Sequence, residues 1–397
     1  MIKSTFKRFF ALEAASGIVL LLVTMAAIVC ENSGLRDAYQ FLMHLPIRLG
    51  VGDLALEKSL SHWVNDGLMV IFFFLVGMEI KREAISGHLA SRQQALLPFV
   101  SALGGMIVPA SIFWMFDHSD PMAIRGWAIP TATDIAFALG VLSLVGSRVP
   151  LGLKVFLTAL AIIDDLGAIL IIALVYTVEL RVEMLAGAAG VLLLLTLLNR
   201  RGVKLALPYL LLGVVLWLFI LKSGIHATIA GVLLAFTIPG KPTSDADALE
   251  TSLLSKLEHA IHPWVAFGIM PIFAFFNAGL NLDGLSFAAL TEPIPAGITL
   301  GLFVGKQLGV FLATAAAILL GLGHMPRGAN WKQLYGVSIL AGIGFTMSLF
   351  VGSLAYADSA HLIALTQLGV ITGSILSSVV GLVVLLLVCE KNQTTND

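Results

Sequence analysis

The sequence predicts an all-α polytopic membrane protein with twelve transmembrane helices, and three observations carry that expectation. Of 397 residues, 58% are hydrophobic and only 12% charged, where a soluble domain is about a quarter charged; mean hydropathy is +0.97. Apolar windows of about 20 residues, long enough to cross a bilayer as helices, recur twelve times along the chain. The basic residues between those windows fall mostly on one side.

The windows lie near 12–31, 60–80, 95–116, 128–146, 151–175, 184–199, 205–222, 225–240, 264–279, 294–322, 335–356 and 360–389. The first apolar run, Ala14 to Cys30, is signal-like, but no small-x-small cleavage site with a soluble domain follows it, so it reads as a retained helix. Lys222-Ser223-Gly224 must turn between spans seven and eight. With Lys3, Lys7 and Arg8 inside, alternate loops place sixteen of the 23 basic residues on that side and six opposite. Both termini are therefore expected in the cytoplasm by the positive-inside rule. One lysine remains over, Lys306, near the middle of span ten. On this topology Cys30 and Cys389 lie on opposite sides of the membrane, which excludes a disulfide between them.

The largest outside loop, roughly 45–58, alternates apolar and polar residues about Gly52-Asp53, the pattern of a short β-hairpin. Such a hairpin is marginal alone, so it lies on the body or pairs with another copy. A net charge of −1 argues against nucleic acid, which needs a concentrated basic surface.

Three acids sit deep in spans: Asp134, Asp164 and Asp165. An acid at the centre of a spanning helix costs about 2.5–3.5 kcal/mol on insertion scales, so two in a row demand pairing, protonation or a wet cavity. Asp164 and Asp165 point about 100° apart around their helix, so one can meet a helix neighbour while the other faces solvent. Lys306 shares their depth and is the evident partner of one. A purely structural ion pair uses one acid and leaves two unexplained. Span four carries Pro130 with Thr131 and Thr133 just before Asp134; Pro130 removes a backbone donor, and the threonines offer oxygens to the freed groups. Span eleven has a counterpart break at Ala341-Gly-Ile-Gly-Phe-Thr-Met-Ser348. Irregular backbone at membrane depth is tolerated where it lines a cavity, and interrupted helices in two halves mark a transporter's binding site.

The chemistry follows from the donors. Na⁺ and Li⁺ take oxygen ligands, and a low-dielectric site favours the neutral form of a carboxylate. Such a group holds a proton or a small cation in competition. Opened alternately to each side, it exchanges one for the other. Gly104-Gly105 lies within a span and lacks a P-loop lysine, so no nucleotide motif supplies another energy source. A second charged group collects at the cytoplasmic ends. Glu79, Arg82 and Glu83 end span two, and Lys256, Glu258, His259 and His262 precede span nine. Histidines titrate near physiological pH, so the group is either a pH sensor or a solvated helix end. His226, at the start of span eight, is open to the same two readings.

The stretches TATDIAFALGVLSLVGSRVP, LTALAIIDDLGAILIIAL, LKSGIHATIAGV, KLEHAIHPWVAF and GIGFTMSLF resemble the NhaA family of bacterial Na⁺/H⁺ antiporters from the first span to the last. The resemblance implies a single transporter domain over 1–397, in the cytoplasmic (inner) membrane of a bacterium. It also implies inverted repeats at about 95–175 and 294–389 and broken helices four and eleven crossing near the site. Electrogenic exchange follows from it, with more protons entering than Na⁺ leaving, and with no cofactor beyond the transported ions. Asp164 and Asp165 then carry cation and proton, Lys306 pairs with Asp164 and releases it on cation binding, Asp134 balances the broken helices, and Thr133 lies beside the site. Glu79, Arg82, Glu83, Glu258, His259 and His262 match the family's pH-response cluster, His226 its pH-linked histidine, and the hairpin its homodimer contact. The loop Lys241 to Ser255 departs from the family pattern, and Lys256 stands alone before Glu258, so the pH set point is open.

Three rival functions stand against this reading. A Na⁺-coupled solute symporter needs a polar pocket, and the deep spans offer few Asn, Gln or Arg side chains. An intramembrane aspartyl protease needs a Gly-x-Gly-Asp motif and a Tyr-Asp on separate helices, and neither occurs; the chain is not expected to be an enzyme. A passive channel would conduct without proton exchange.

Overall fold

A computed structural model of the chain describes residues 2–49, 56–87, 89–118, 120–177, 180–240, 252–283 and 287–389. The first helices are α1, Ile2–Glu31, and α2, Arg36–His44. Strands β1, Pro46–Leu49, and β2, Leu56–Ser59, come next. Then follow α3, Leu60–Ser86, and α4, Arg92–Asp117. A 3₁₀ segment over Ala123–Thr131 leads into α5, Ile135–Val145. After it run α6, Leu151–Val175, α7, Val182–Arg200, α8, Ala206–Ser223, and α9, Ile229–Thr237. The chain closes with α10, Leu253–Asn277, α11, Pro293–Leu319, α12, Trp331–Leu340, α13, Phe345–Ala355, and α14, Ala360–Val388.

Among the described residues, eight of these helices are long and apolar enough to cross a membrane. Three bent pairs raise the number to eleven if each counts as one span. Residues 15–31 meet α2 at 108°, the 3₁₀ segment meets α5 at 40°, and α12 meets α13 at 43°. The second and third of these bends lie at the stretches 130–134 and 341–344. Expected span eight, 225–240, contains only the nine residues of α9, about 13 Å of helix, too short to cross alone. Expected span nine starts earlier than its apolar window, at Leu253, because Ser252 caps the helix through Ser255 N–H. The charged run before the apolar stretch is therefore helix. Short π-helical turns, Val64–Leu68, Val265–Ile269 and Gly301–Gly305, interrupt α3, α10 and α11. Nothing in the hydropathy pattern announces them.

The chain divides into two compact units. The first comprises Met1–Leu22, Ser91–Ala168 and Leu280–Asp397. Its tightest seam is between α4 and α11, where glycines let the backbones touch. A Cβ added to Gly309 would fall 2.2 Å from Gly104 O, an approach of the kind small residues permit between membrane helices. A buried hydroxyl pair, Ser101 with Thr314 at 2.6 Å, crosses the same seam.

The second unit comprises Val23–Ala90 and Ile169–Gly279. Here β1 and β2 pair antiparallel with Pro46 opposite Ser59 and Leu49 opposite Leu56. The expected hairpin is present, while its Gly52-Asp53 turn lies outside the described residues. Trp63 Nε1 donates to Ile47 O at 3.1 Å, and Lys58 pairs with Asp66 at 2.8 Å, tying the hairpin to the start of α3. Asn65 and Asn277 exchange side-chain hydrogen bonds at 3.2 and 2.8 Å. Between α8 and α9 the expected turn is closed by Gly224 in the left-handed region, φ +87°, which glycine adopts at no steric cost. The far end of α9 is held by side chains: Lys81 Nζ donates to Phe236 O at 2.6 Å and Ile238 O at 2.5 Å, and Asn199 Nδ2 to Thr237 O at 2.7 Å. Cys30 and Cys389 are both free thiols.

Candidate functional site

The first unit gathers the deep charged residues. α6 carries Asp164 and Asp165, each 1% exposed, and α11 carries Lys306, fully buried. The π-turn Gly301–Gly305 ends immediately before Lys306. At its end Gly305 lies against Pro109 of α4, where an added Cβ would sit 2.7 Å from Pro109 Cα. The lysine ammonium reaches Asp164 Oδ2 at 2.5 Å. The Thr133 hydroxyl donates to the same oxygen at 2.7 Å and stands 2.9 Å from Ala341 O. A hydroxyl has one proton, so Thr133 divides it between the carboxylate and a carbonyl of the second break. Asp164 Oδ1 makes no hydrogen bond among the described residues. Pairing is what makes this burial tolerable, because an ion taken out of water loses several kcal/mol of solvation, on the order of what a close partner returns.

The two breaks are bonded to one another. Asp134 N–H donates to Ile343 O at 2.6 Å, and Ser348 O–H donates to Ile129 O at 2.7 Å. Asp134 is the N-cap of α5, its Oδ1 accepting from Phe137 N–H at 2.9 Å. Its Oδ2 accepts from Thr346 N–H at 3.1 Å and from the Thr346 hydroxyl. One carboxylate thus meets the N-terminal ends of α5 and α13, where unsatisfied N–H groups carry partial positive charge. No larger side chain fits the bend of the second break. A Cβ on Gly342 would fall 2.3 Å from Leu302 O, and one on Gly344 would fall 2.2 Å from Ser348 Oγ.

The threonines act differently from the sequence expectation. Thr131 O–H donates to Ala128 O at 2.7 Å, and Thr133 O–H donates as described. The Thr131 hydroxyl bonds back within the 3₁₀ segment, and the Thr133 hydroxyl leaves it for α6 and the second break.

The second unit holds the other expected group. Arg82 lies 3.3 Å from Glu83 Oε1 and 3.2 Å from Glu258 Oε1, joining α3 to α10. Glu258 is buried and Glu79 half-buried. His259 Nδ1 bonds within its own helix to Ser255 O at 2.7 Å, and His262 follows one turn on. His226 is placed elsewhere. It lies between α8 and α9, and the charged groups acting on it are Asp66 and Lys58. Asp66 and Arg82 are about 24 Å apart along α3 at the ordinary helical rise. Among the described residues no three His, Cys, Asp or Glu side chains gather as a metal cluster.

The profile of the family described as Na⁺/H⁺ antiporter 1 matches residues 7–385. The chain belongs to that family. Within this antiporter family it is 55% identical over 379 residues to the Na(+)/H(+) antiporter NhaA 2 of Pseudomonas syringae pv. syringae, covering 95% of this chain and 94% of that protein. It is 54% identical to the Na(+)/H(+) antiporter NhaA of Pelagibacter ubique, covering 97% and 98%. The antiporter NhaA of a Sulfurovum species is 50% identical, covering 98% and 99%. Membership and the eight long apolar helices together make this a multi-pass membrane protein. Sequence reasoning missed Thr346 and the Ala341 carbonyl as partners of the site. The Thr in Gly-Ile-Gly-Phe-Thr, directly after the break, was the available signal.

Proposed function

We propose that the chain is an electrogenic Na⁺(Li⁺)/H⁺ antiporter that exports Na⁺ in exchange for protons by alternating access at Asp164 and Asp165. The observation that carries this reading is the buried Asp164 carboxylate, held on one oxygen by Lys306 and Thr133, beside the equally buried Asp165. The names of the relatives, Na⁺/H⁺ antiporters at 50–55% identity, support it. Nothing comparable supports a solute symporter.

In this mechanism a hard cation arriving at Asp164 and Asp165 draws its remaining oxygens from hydroxyl and carbonyl groups. It displaces Lys306 from Asp164. Protons and the cation compete for the same carboxylates, and opening to the other side completes the exchange. Asp134 stays out of the transfer and offsets the positive ends of the half-helices. The architecture proposed with it has twelve spans, α9 contributing the shortest, and both termini in the cytoplasm of a bacterial cell whose inner membrane holds the protein. Its inverted repeats occupy about 95–175 and 294–389. Residues 91–168 and 280–397 fall in one compact unit, which supports that pairing. The Arg82, Glu83 and Glu258 ion pairs support a pH-response role for Glu79, Arg82, Glu83, Glu258, His259 and His262. His226 acts in this reading from the opposite end of α3. The hairpin strands pair copies into a homodimer.

The test uses everted membrane vesicles carrying an inside-acid gradient, with Na⁺, Li⁺ and K⁺ added in turn at several pH values. Collapse by Na⁺ and Li⁺ and not by K⁺, lost in Asp165→Asn with insertion intact, is the expected result. Normal exchange in Asp165→Asn would remove that carboxylate from the mechanism, and no response to any cation would remove antiport.

A further inference from the structure

Gln307, the residue after Lys306, is buried, and the exchange reading has given it no task. Neighbours on a helix point about 100° apart, so while Lys306 reaches Asp164 on α6, Gln307 is turned elsewhere. Its Oε1 accepts from the Tyr335 hydroxyl of α12 at 2.8 Å. One turn further along α11, Phe311 meets the same tyrosine edge-on, ring centroids 5.3 Å apart, and meets Trp331 at 6.2 Å. Gln307 and Phe311 thus share one face of α11, and Trp331 and Tyr335 share one face of α12. Edge-to-face rings give the contact a preferred geometry, and the hydroxyl-to-amide bond fixes its depth.

The place of this contact gives it weight. The π-turn Gly301–Gly305 runs up to Lys306 and both begins and ends in glycine. Those two positions carry no side chain to set the rotation of α11 where the lysine leaves it. Gln307 supplies a fixed point directly afterwards. On the facing side, α12 runs to Leu340, and the Ala341 carbonyl that follows accepts from Thr133. Asp164 Oδ2 is therefore gripped by two donors, Lys306 on α11 and Thr133, itself bonded to the end of α12. The bond between Gln307 and Tyr335 joins the two helices behind that grip.

We infer that Gln307 and Tyr335 are positioning residues of the exchange site: their hydrogen bond clasps α11 to α12 and so aims Lys306 at Asp164. The inference rests on the antiport reading and deepens it by assigning what sets the strength of the pair that the cation must break. With the clasp open, Lys306 grips Asp164 less firmly. Na⁺ then competes for that carboxylate at lower concentration.

The test deletes the bond from each side. Tyr335→Phe keeps the ring against Phe311 and removes only the hydroxyl, and Gln307→Met keeps the stem and removes the acceptor. In vesicles each variant should lower the apparent KM for Na⁺ about threefold, the size of effect one hydrogen bond between membrane helices carries, while the maximal rate changes less. The double variant should match the singles, because both delete one bond. An unchanged or raised KM, or single effects that multiply in the double, would overturn the assignment. A second measurement does not need transport. Tyr335→Phe is made in the wild-type and Lys306→Ala backgrounds, and the fall in melting temperature should be smaller in the second by about 1 °C or more. An equal fall in both would overturn the link to Lys306 and leave helix packing alone. A wild type that exchanges no cation sinks the antiport reading and the KM prediction with it, while the melting cycle still decides whether Tyr335 acts through Lys306.

Discussion

Asp134 accepts two hydrogen bonds from Thr346, 212 positions away in the chain, one from its backbone N–H and one from its hydroxyl. The other carboxylate oxygen caps the helix that Asp134 itself begins. Two half-helices thereby share one anion. An N-cap is worth about 1 kcal/mol, so Asp134→Ala, which loses both, should destabilise by about 2 kcal/mol. Asp134→Asn keeps one acceptor and turns an amide N–H toward the other end, so its melting temperature should fall between those of the alanine variant and the wild type. Equal melting of all three would show that the shared cap carries no weight.

Lys306→Ala leaves Asp164 buried without its cation. Breaking a buried pair from one side costs about 3–5 kcal/mol, and transport should be lost or driven to alkaline pH. Adding Asp164→Asn removes the stranded charge, so the double variant should melt above Lys306→Ala while remaining inactive. A double variant less stable than the single would contradict the pairing.

Thr133 is the neutral donor to Asp164 Oδ2 and to Ala341 O. A hydrogen bond to a charged group is worth about 1.5–3 kcal/mol, so Thr133→Val should weaken apparent Na⁺ affinity roughly tenfold or more. Thr133→Ser retains the hydroxyl and should restore most of it. Equal loss in both would assign Thr133 to packing through its methyl group.

Arg82 bridges Glu83 and Glu258. Removing either side of the bridge, by Arg82→Gln or Glu258→Gln, should displace the pH profile of exchange more than it lowers the maximal rate. Profiles that superimpose on wild type after scaling would return the cluster to an ordinary solvated helix end.

Much of the site was legible because charge is scarce in this chain. Counting basic residues by side left Lys306 over, and counting acids by depth left Asp134, Asp164 and Asp165. The long helices follow from hydropathy, and two of the bends fall near Pro130 and near Gly342 and Gly344. What stayed hidden depends on register between distant segments. The π-turn ahead of Lys306 and the second helix capped by Asp134 are set by how α4, α6, α11 and the breaks interlock. No local pattern encodes that. The Thr131 and Thr133 hydroxyls donate, and the acceptors of Thr133, Asp164 and Ala341 O, lie in segments remote in sequence. Nor does any local pattern show that the Lys81 ammonium bonds two backbone carbonyls.

That last contact bears on insulation. A nine-residue helix spans less than half of a hydrocarbon layer about 30 Å thick, and a helix end there would ordinarily draw in water for its free carbonyls. At α9 three such carbonyls are occupied by Lys81 and Asn199. The end is sealed by side chains belonging to the protein. An ion exchanger stores work only if ions do not slip past it, and here the carbonyls that would otherwise seek water are already taken.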